Sequence, residues 1–203
     1  MHPITHLLAG WTVAELAQLP PRDRAIVTWA CVVPDIDGIG YAIDLANKLL
    51  GRPESVFYET YHHNWGHGVP AALLVAVLAW FLAEQKQRTA WLAFLAFHLH
   101  LLMDLGGSRG SHPLDVWAIP YLSPLSDMMT LSWDGQWPLT SWQNTVLTMV
   151  LMLTSSAMSV RRGYSPVLLF SQSADEAVVR TLRSRFGKTD PDGGAKTNNH
   201  ETP

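Results

Sequence analysis

The stretch from Thr89 to Gly107, TAWLAFLAFHLHLLMDLGG, runs for 19 residues with a single charge, Asp104. A helix needs about 20 mainly apolar residues to cross the hydrocarbon core of a bilayer. The stretch therefore reads as a spanning helix, with the core helix of a soluble protein as the alternative. Its polar residues carry the interest. His100 and Asp104 stand four apart, which puts them roughly 40° apart on one helix face. An ionisable pair in an apolar helix is costly and points to function; the plainer reading is a buried hydrogen-bonded pair. His98 falls on nearly the opposite face and reads as a packing or interface histidine.

Working outward, Gly68–Ala83 (16 residues) and Trp142–Val160 (19 residues) carry no charge at all. Ile4–Leu19 and Ala25–Val33 are also apolar, but short enough to span only a thinned membrane. The 203-residue chain is 15% charged, against about 25% in an average soluble domain. Its nine tryptophans suit membrane interfaces. The expected fold is all-α, a multi-helix membrane bundle with long irregular loops at one end, spanning residues 1–165. A short amphipathic helix region (166–186), opened by a capping box at Ser173-Ala-Asp-Glu176, follows it. The polar stretch 187–203 is expected to be disordered. No strand-period segment of any length is present.

Composition also excludes partners. A net charge of −3 leaves no basic excess for nucleic acid, and a lone cysteine, Cys31, rules out an intrachain disulfide framework or a Cys-rich zinc module. Basic pairs at Arg22/Arg24, Lys86/Arg88 and Arg161/Arg162 mark the breaks between apolar segments. If those breaks share a side with the tail, 11 of 14 basic residues lie there, with Lys48, Arg52 and Arg109 opposite. The positive-inside rule makes that side cytoplasmic and the chain a multi-pass protein of a bacterial-type inner membrane.

Eight of the nine histidines lie at or before His112. Pro34-Asp35-Ile36-Asp37-Gly38 follows an apolar run, and in extended backbone Asp35 and Asp37 project to one side. Paired carboxylates suit a hard or borderline cation, though Asp-x-Asp-Gly is also ordinary turn chemistry. His62-His63-Asn64-Trp65-Gly66-His67 places three imidazoles in six residues just before Pro70, which fits a helix first turn. Neutral imidazole is a common ligand for zinc and its neighbours. With helices alternating in direction, His6, Asp35/Asp37, His62/His67 and His100/Asp104 all fall at the end opposite the basic residues, the non-cytoplasmic side. His112 and Asp115 read as a surface pair, and Met149, Met152 and Met158 as packing residues.

These residues resemble the YdjM-like family of membrane-bound, metal-dependent hydrolases. That family has an early helical His, a Pro-Asp-x-Asp turn, a His-Arg-x-x-Thr-His-Ser segment and a Ser-His-x-x-x-Asp helix. The matching stretches are Thr5–Leu8, Pro34–Asp37, His62–Gly68 and Leu99–Asp104, over residues 1–125. The last helix is also distantly similar to that of zinc-dependent phospholipases C. The resemblance implies metal ligands at His6, Asp35, Asp37, His62, His67, His100 and Asp104. The family's Arg, Thr and Ser positions are His63, Gly66 and Gly68 here, so an Arg that would grip a phosphate or carboxylate is absent.

The expected function is metal-dependent hydrolysis at the membrane. One or two divalent ions, zinc first among them, would activate water against an ester or phosphoester. Asp37 and His63 are the candidates for proton transfer. Trp65, Trp117 and Trp133 flank the site and suit a lipid or other amphipathic substrate. Two rival readings use the same residues: a metal transporter or sensor, and a structural membrane protein whose His and Asp residues only hydrogen-bond.

Overall fold

The computed structural model describes residues 1–53, 57, 66–112, 114–126 and 128–187, apart from the side chains of Asp37 and Ile39. The chain divides into two compact units, Met1–Ser155 and Ser156–Pro203. The described residues are mostly helical, with one small sheet.

In the first unit, α1 (Pro3–Leu16) and α2 (Pro21–Ala30) form a helical hairpin. Each opens on a proline, whose missing N–H is no loss in a first turn. A 3₁₀ turn (Val33–Gly38) and α3 (Ile39–Leu49) follow. Of the two stretches expected to form the long irregular loops, Pro34–His67 and Gly106–Ser141, the first is thus partly helical: its apolar residues recur at Ile39, Ile43 and Ala46, a helical spacing. Next come α4 (Val69–Leu82) and α5 (Lys86–Gly107). Their shared core with α1 and α2 is built from small residues, Ala9, Ala14, Ala30, Ala79, Ala93 and Ala96, around Val27 and Cys31. Small side chains let helix backbones approach closely, as in membrane bundles. Gly10 shows how closely: a Cβ there would sit 2.6 Å from the Cys31 Cβ and 2.8 Å from the Thr28 carbonyl oxygen.

Two polar centres close this unit, at opposite ends of α5. At its start, the buried Asp23 carboxylate accepts the backbone N–H groups of Glu84 and Gln85 and the Thr89 hydroxyl, each at 2.8 Å. It thereby satisfies N–H groups that a helix start leaves without partners. Arg24 pairs with Glu15 at 3.0 Å, both nearly buried. Arg24, one of the basic residues at the break between the first two apolar segments, is thus a buried ion-pair partner.

At the other end of α5, the second long connection is locked down. Strand β1 (Ile119–Pro120) pairs antiparallel with β2 (Thr130–Leu131), Ile119 opposite Leu131. Two residues per strand are too few to leave a readable period. Ile119 packs on Ala72, Phe97 and Leu101, and the Tyr121 hydroxyl meets His98 Nε2 at 2.8 Å. Gln136 donates to the Asp104 carbonyl (2.9 Å), and Asn144, from α6 (Trp142–Arg162), donates to the Gly107 carbonyl (2.8 Å). Gly107 is needed there, since a Cβ would overlap Asn144 and the Trp137 ring nitrogen. Met149 and Met152 of α6 lie exposed and not in a packed core, while Met158 is half-buried.

The second unit holds the end of α6, a 3₁₀ turn (Pro166–Leu169) and α7 (Gln172–Phe186). The cap of α7 is Ser171, whose Oγ accepts the Ala174 N–H, so Ser173 sits inside the first turn. Asp175 accepts the Ser165 N–H at 2.6 Å, tying the turn to the helix. Residues 188–203 lie outside the described part.

Among the described residues one helix, α5, is long and apolar enough to cross a membrane. Only 39% of its apolar window is buried within the protein, so much of it faces outward. Pro21–Ala30 and Val33–Leu49 pass the same test only as a pair bent by 61°. Helix α4 is apolar but 14 residues long. Helix α6 has the length, but its run of Thr and Ser residues makes it less apolar than its lack of charge suggested.

Candidate metal centre

Four separate segments bring one group of ligating atoms together. His6 lies near the start of α1, Asp35 in the 3₁₀ turn after α2, His67 just before α4, and His100 and Asp104 one turn apart on α5. His6, His67 and His100 are fully buried and Asp104 nearly so. The Asp35 side chain, 13% exposed, is the one that opens towards the surface.

The imidazoles present their Nε2 atoms to the two carboxylates. Asp104 stands 3.1 Å from His6 through Oδ1, and 2.9 Å from His100 and 3.8 Å from His67 through Oδ2. Asp35 lies 3.7 Å from His100 and 4.0 Å from His6. Ligand atoms of His6, Asp35, His100 and Asp104 all fall within 4.8 Å of one another. His67 Nε2 joins them, 3.3 Å from His100 Nε2. The His6 and His100 rings stack at 3.7 Å between centroids.

Hydrogen bonds around the group fix these orientations. His100 Nδ1–H donates to the Cys31 carbonyl at 2.9 Å. That bond sets the tautomer, leaving Nε2 to face the group, as in metal-ligating histidines generally. Ser108 donates to Asp104 Oδ1 at 2.9 Å, and the Met1 amine also contacts that oxygen. Burial pushes the His6 imidazole below its ordinary pKa, against the raising effect of its hydrogen bond to Asp104. Neutral imidazole is the form that ligates a metal.

The donor set fits a divalent ion. His100 Nε2 stands 2.9 Å from a carboxylate oxygen and 3.3 Å from a second imidazole nitrogen, so oxygen and nitrogen ligands of the kind a divalent ion takes lie side by side. Asp35 Oδ2, buried, has no hydrogen-bond partner among the described residues. Zinc–ligand bonds of about 2.0–2.1 Å set tetrahedral ligand atoms roughly 3.4 Å apart, and the nearest separations here run from 2.9 to 4.0 Å.

The profile of the YdjM inner membrane protein family matches residues 1–177. The chain belongs to this family. No curated protein and no solved structure matches it.

Five of the residues singled out in this YdjM-family sequence come together: His6, Asp35, His67, His100 and Asp104. His62, His63 and Trp65, and the Asp37 side chain, lie outside the described part. The turn holding Asp35 and Asp37 is 3₁₀ and not extended, so the alternation argument that put both on one side does not apply. His98 faces away, bonded to the Phe94 carbonyl and the Tyr121 hydroxyl. His112 and Asp115 close a local turn, with Asp115 N–H on the His112 carbonyl. Trp117 is linked to the centre through Gln136, which accepts its backbone N–H and donates to the Asp104 carbonyl; Trp133 is half-exposed against Trp137. Sequence reasoning missed Ser108, although its i+4 spacing from Asp104 was a signal, and the Cys31 carbonyl, which no residue type announces.

Proposed function

We propose that this YdjM-family protein is a membrane-bound, metal-dependent hydrolase acting on an ester or phosphoester, a lipid or similarly amphipathic molecule among the candidates. The observation that supports this reading is the convergence of three imidazole Nε2 atoms and two carboxylates in one buried group. His6, Asp35, His67, His100 and Asp104 would hold the ion, with zinc the best match to the mixed N/O set. A bound zinc ion lowers the pKa of its water to about 7 and polarises the scissile group.

The chain's own residues divide the remaining work. Cys31 and Ser108 orient His100 and Asp104. Gln136 and Asn144 fix the end of α5, so that Asp104 keeps its place beside His6. Asp35 is the most exposed of the five, and its buried Oδ2, without a hydrogen bond among the described residues, faces His6 and would serve as a ligand. Asp37 and His63 stay candidates for proton transfer. The group gathers where α1 begins and α5 ends, whereas transporters generally bind at the bilayer midplane between broken helices. That placement favours hydrolysis over transport.

The test is a hydrolysis screen of detergent-purified, zinc-repleted protein against phosphoesters, carboxylic esters and phospholipids. The expected result is turnover that a chelator abolishes and zinc restores, with at least a hundredfold loss in His100→Ala. Metal-dependent uptake into proteoliposomes without turnover would reverse the reading in favour of a transporter. Hydrolysis unaffected by chelation and by His100→Ala would contradict it.

A further inference from the structure

The metal centre leaves the opposite end of α4 and α5 unexplained. An apolar groove of about 520 Å³ runs between the two helices. Helix α4 contributes Leu73, Val77, Trp80 and Phe81 at helical spacing, and α5 contributes Trp91 and Phe94. Leu73, Val77, Trp80, Phe81 and Trp91 are all substantially exposed. Ala76 of α4 and Ala90 of α5 also line it, and their small side chains leave space there. Gln87 is the one polar residue lining it.

The groove does not end in apolar surface. A second cleft of about 500 Å³, lined by Ala17, Gln87, Arg88, Trp91 and Leu92, shares Gln87 and Trp91 with it. Arg88 is exposed and uses two of its donors, on Gln85 and on the Ala17 carbonyl. A guanidinium has five N–H donors in all and matches a phosphate in shape. Arg88 is the one charged residue lining this cleft. A narrow apolar slot leading to a cationic mouth has the chemistry of a phospholipid: acyl chain inside, anionic headgroup outside.

We propose that the α4–α5 groove binds one anionic phospholipid, its acyl chain between Trp80 and Trp91 and its headgroup phosphate on Arg88. A second copy of the chain fits less well. Two copies sharing one membrane orientation would bring Arg88 of both together, a like-charge contact. The site is separate from the metal centre. None of its lining residues belongs to the ligand group, and Arg88, the headgroup residue, is 12 residues from His100 on α5, or about 18 Å along the helix at 1.5 Å per residue.

The experiment uses the full chain in detergent, titrated with phosphatidylglycerol or phosphatidylcholine, with bound lipid counted by intact-complex mass spectrometry. The wild type is expected to retain one phosphatidylglycerol with at least tenfold preference over phosphatidylcholine. Arg88→Gln should abolish the preference. Ala76→Phe and Ala90→Phe, which fill the groove from facing helices, should each lower binding of both lipids tenfold or more. Circular dichroism checks their helical content; if one variant loses it, the other carries the test. Equal binding of the two lipids, or lipid binding indifferent to groove filling, overturns the proposal. So does a stable dimer that the groove-filling variants dissociate, which would make this face an interface between copies.

Discussion

Asp104→Ala is expected to leave the purified protein without bound metal and to lower its stability by about 3–5 kcal/mol, the usual effect of breaking a buried charge cluster from one side. Asp104 accepts hydrogen bonds from Ser108 and the Met1 amine and faces the Nε2 atoms of His6, His67 and His100. Removing it strands buried donors and withdraws one of the two carboxylates that balance a divalent ion. Asp104→Asn separates the two effects. It keeps the shape and one acceptor oxygen, so the stability loss should be smaller while metal is still lost. Elemental analysis and thermal unfolding in the same detergent read both. Full metal retention in Asp104→Ala would remove this residue from the ligand set.

The second large effect is expected far from the metal. Asp23→Ala should destabilise the protein by about 3–5 kcal/mol as well, yet leave metal content per folded chain unchanged. Its carboxylate holds two backbone N–H groups and the Thr89 hydroxyl where α4 turns into α5. All three would be left without an acceptor in a place water does not reach easily. Asp23→Asn should fall between, because its amide presents an N–H where a second acceptor is needed. A lower unfolding midpoint with unaltered zinc binding separates the two polar centres; loss of metal in Asp23→Ala would show them coupled through α5.

The two centres also show what the sequence could and could not disclose. His100 and Asp104 announce themselves because an apolar helix has few reasons to hold either, and the i, i+4 spacing puts them on one face. His6, Asp35 and His67 become legible once the helices are taken to alternate, since all three then fall at the same end. Asp23 gives no such signal: an acidic residue in the first turn of a helix is ordinary. Its partners are backbone N–H groups more than sixty residues away, which carry no residue identity. The pairing of Arg24 with Glu15 is hidden for a related reason: a basic residue near a helix break does not announce a buried partner on the preceding helix. Counting charges likewise overestimated α6 as a span, because Thr and Ser residues lower hydropathy without adding charge. Helix α3 was hidden by the Gly38 and Gly40 that surround its start.

If His6, Asp35, His67, His100 and Asp104 form a metal site, the purified protein carries metal that depends on them. Protein purified in detergent without chelator, wild type beside His100→Ala and Asp35→Ala, is analysed for transition metals after repletion with zinc. The expected result is about one ion per wild-type chain, as a single set of four or five ligands holds, and none in either variant that keeps its helical content. Folded wild-type protein that retains no stoichiometric metal, whichever divalent ion is offered, would contradict this and make these histidines and aspartates a buried hydrogen-bond network.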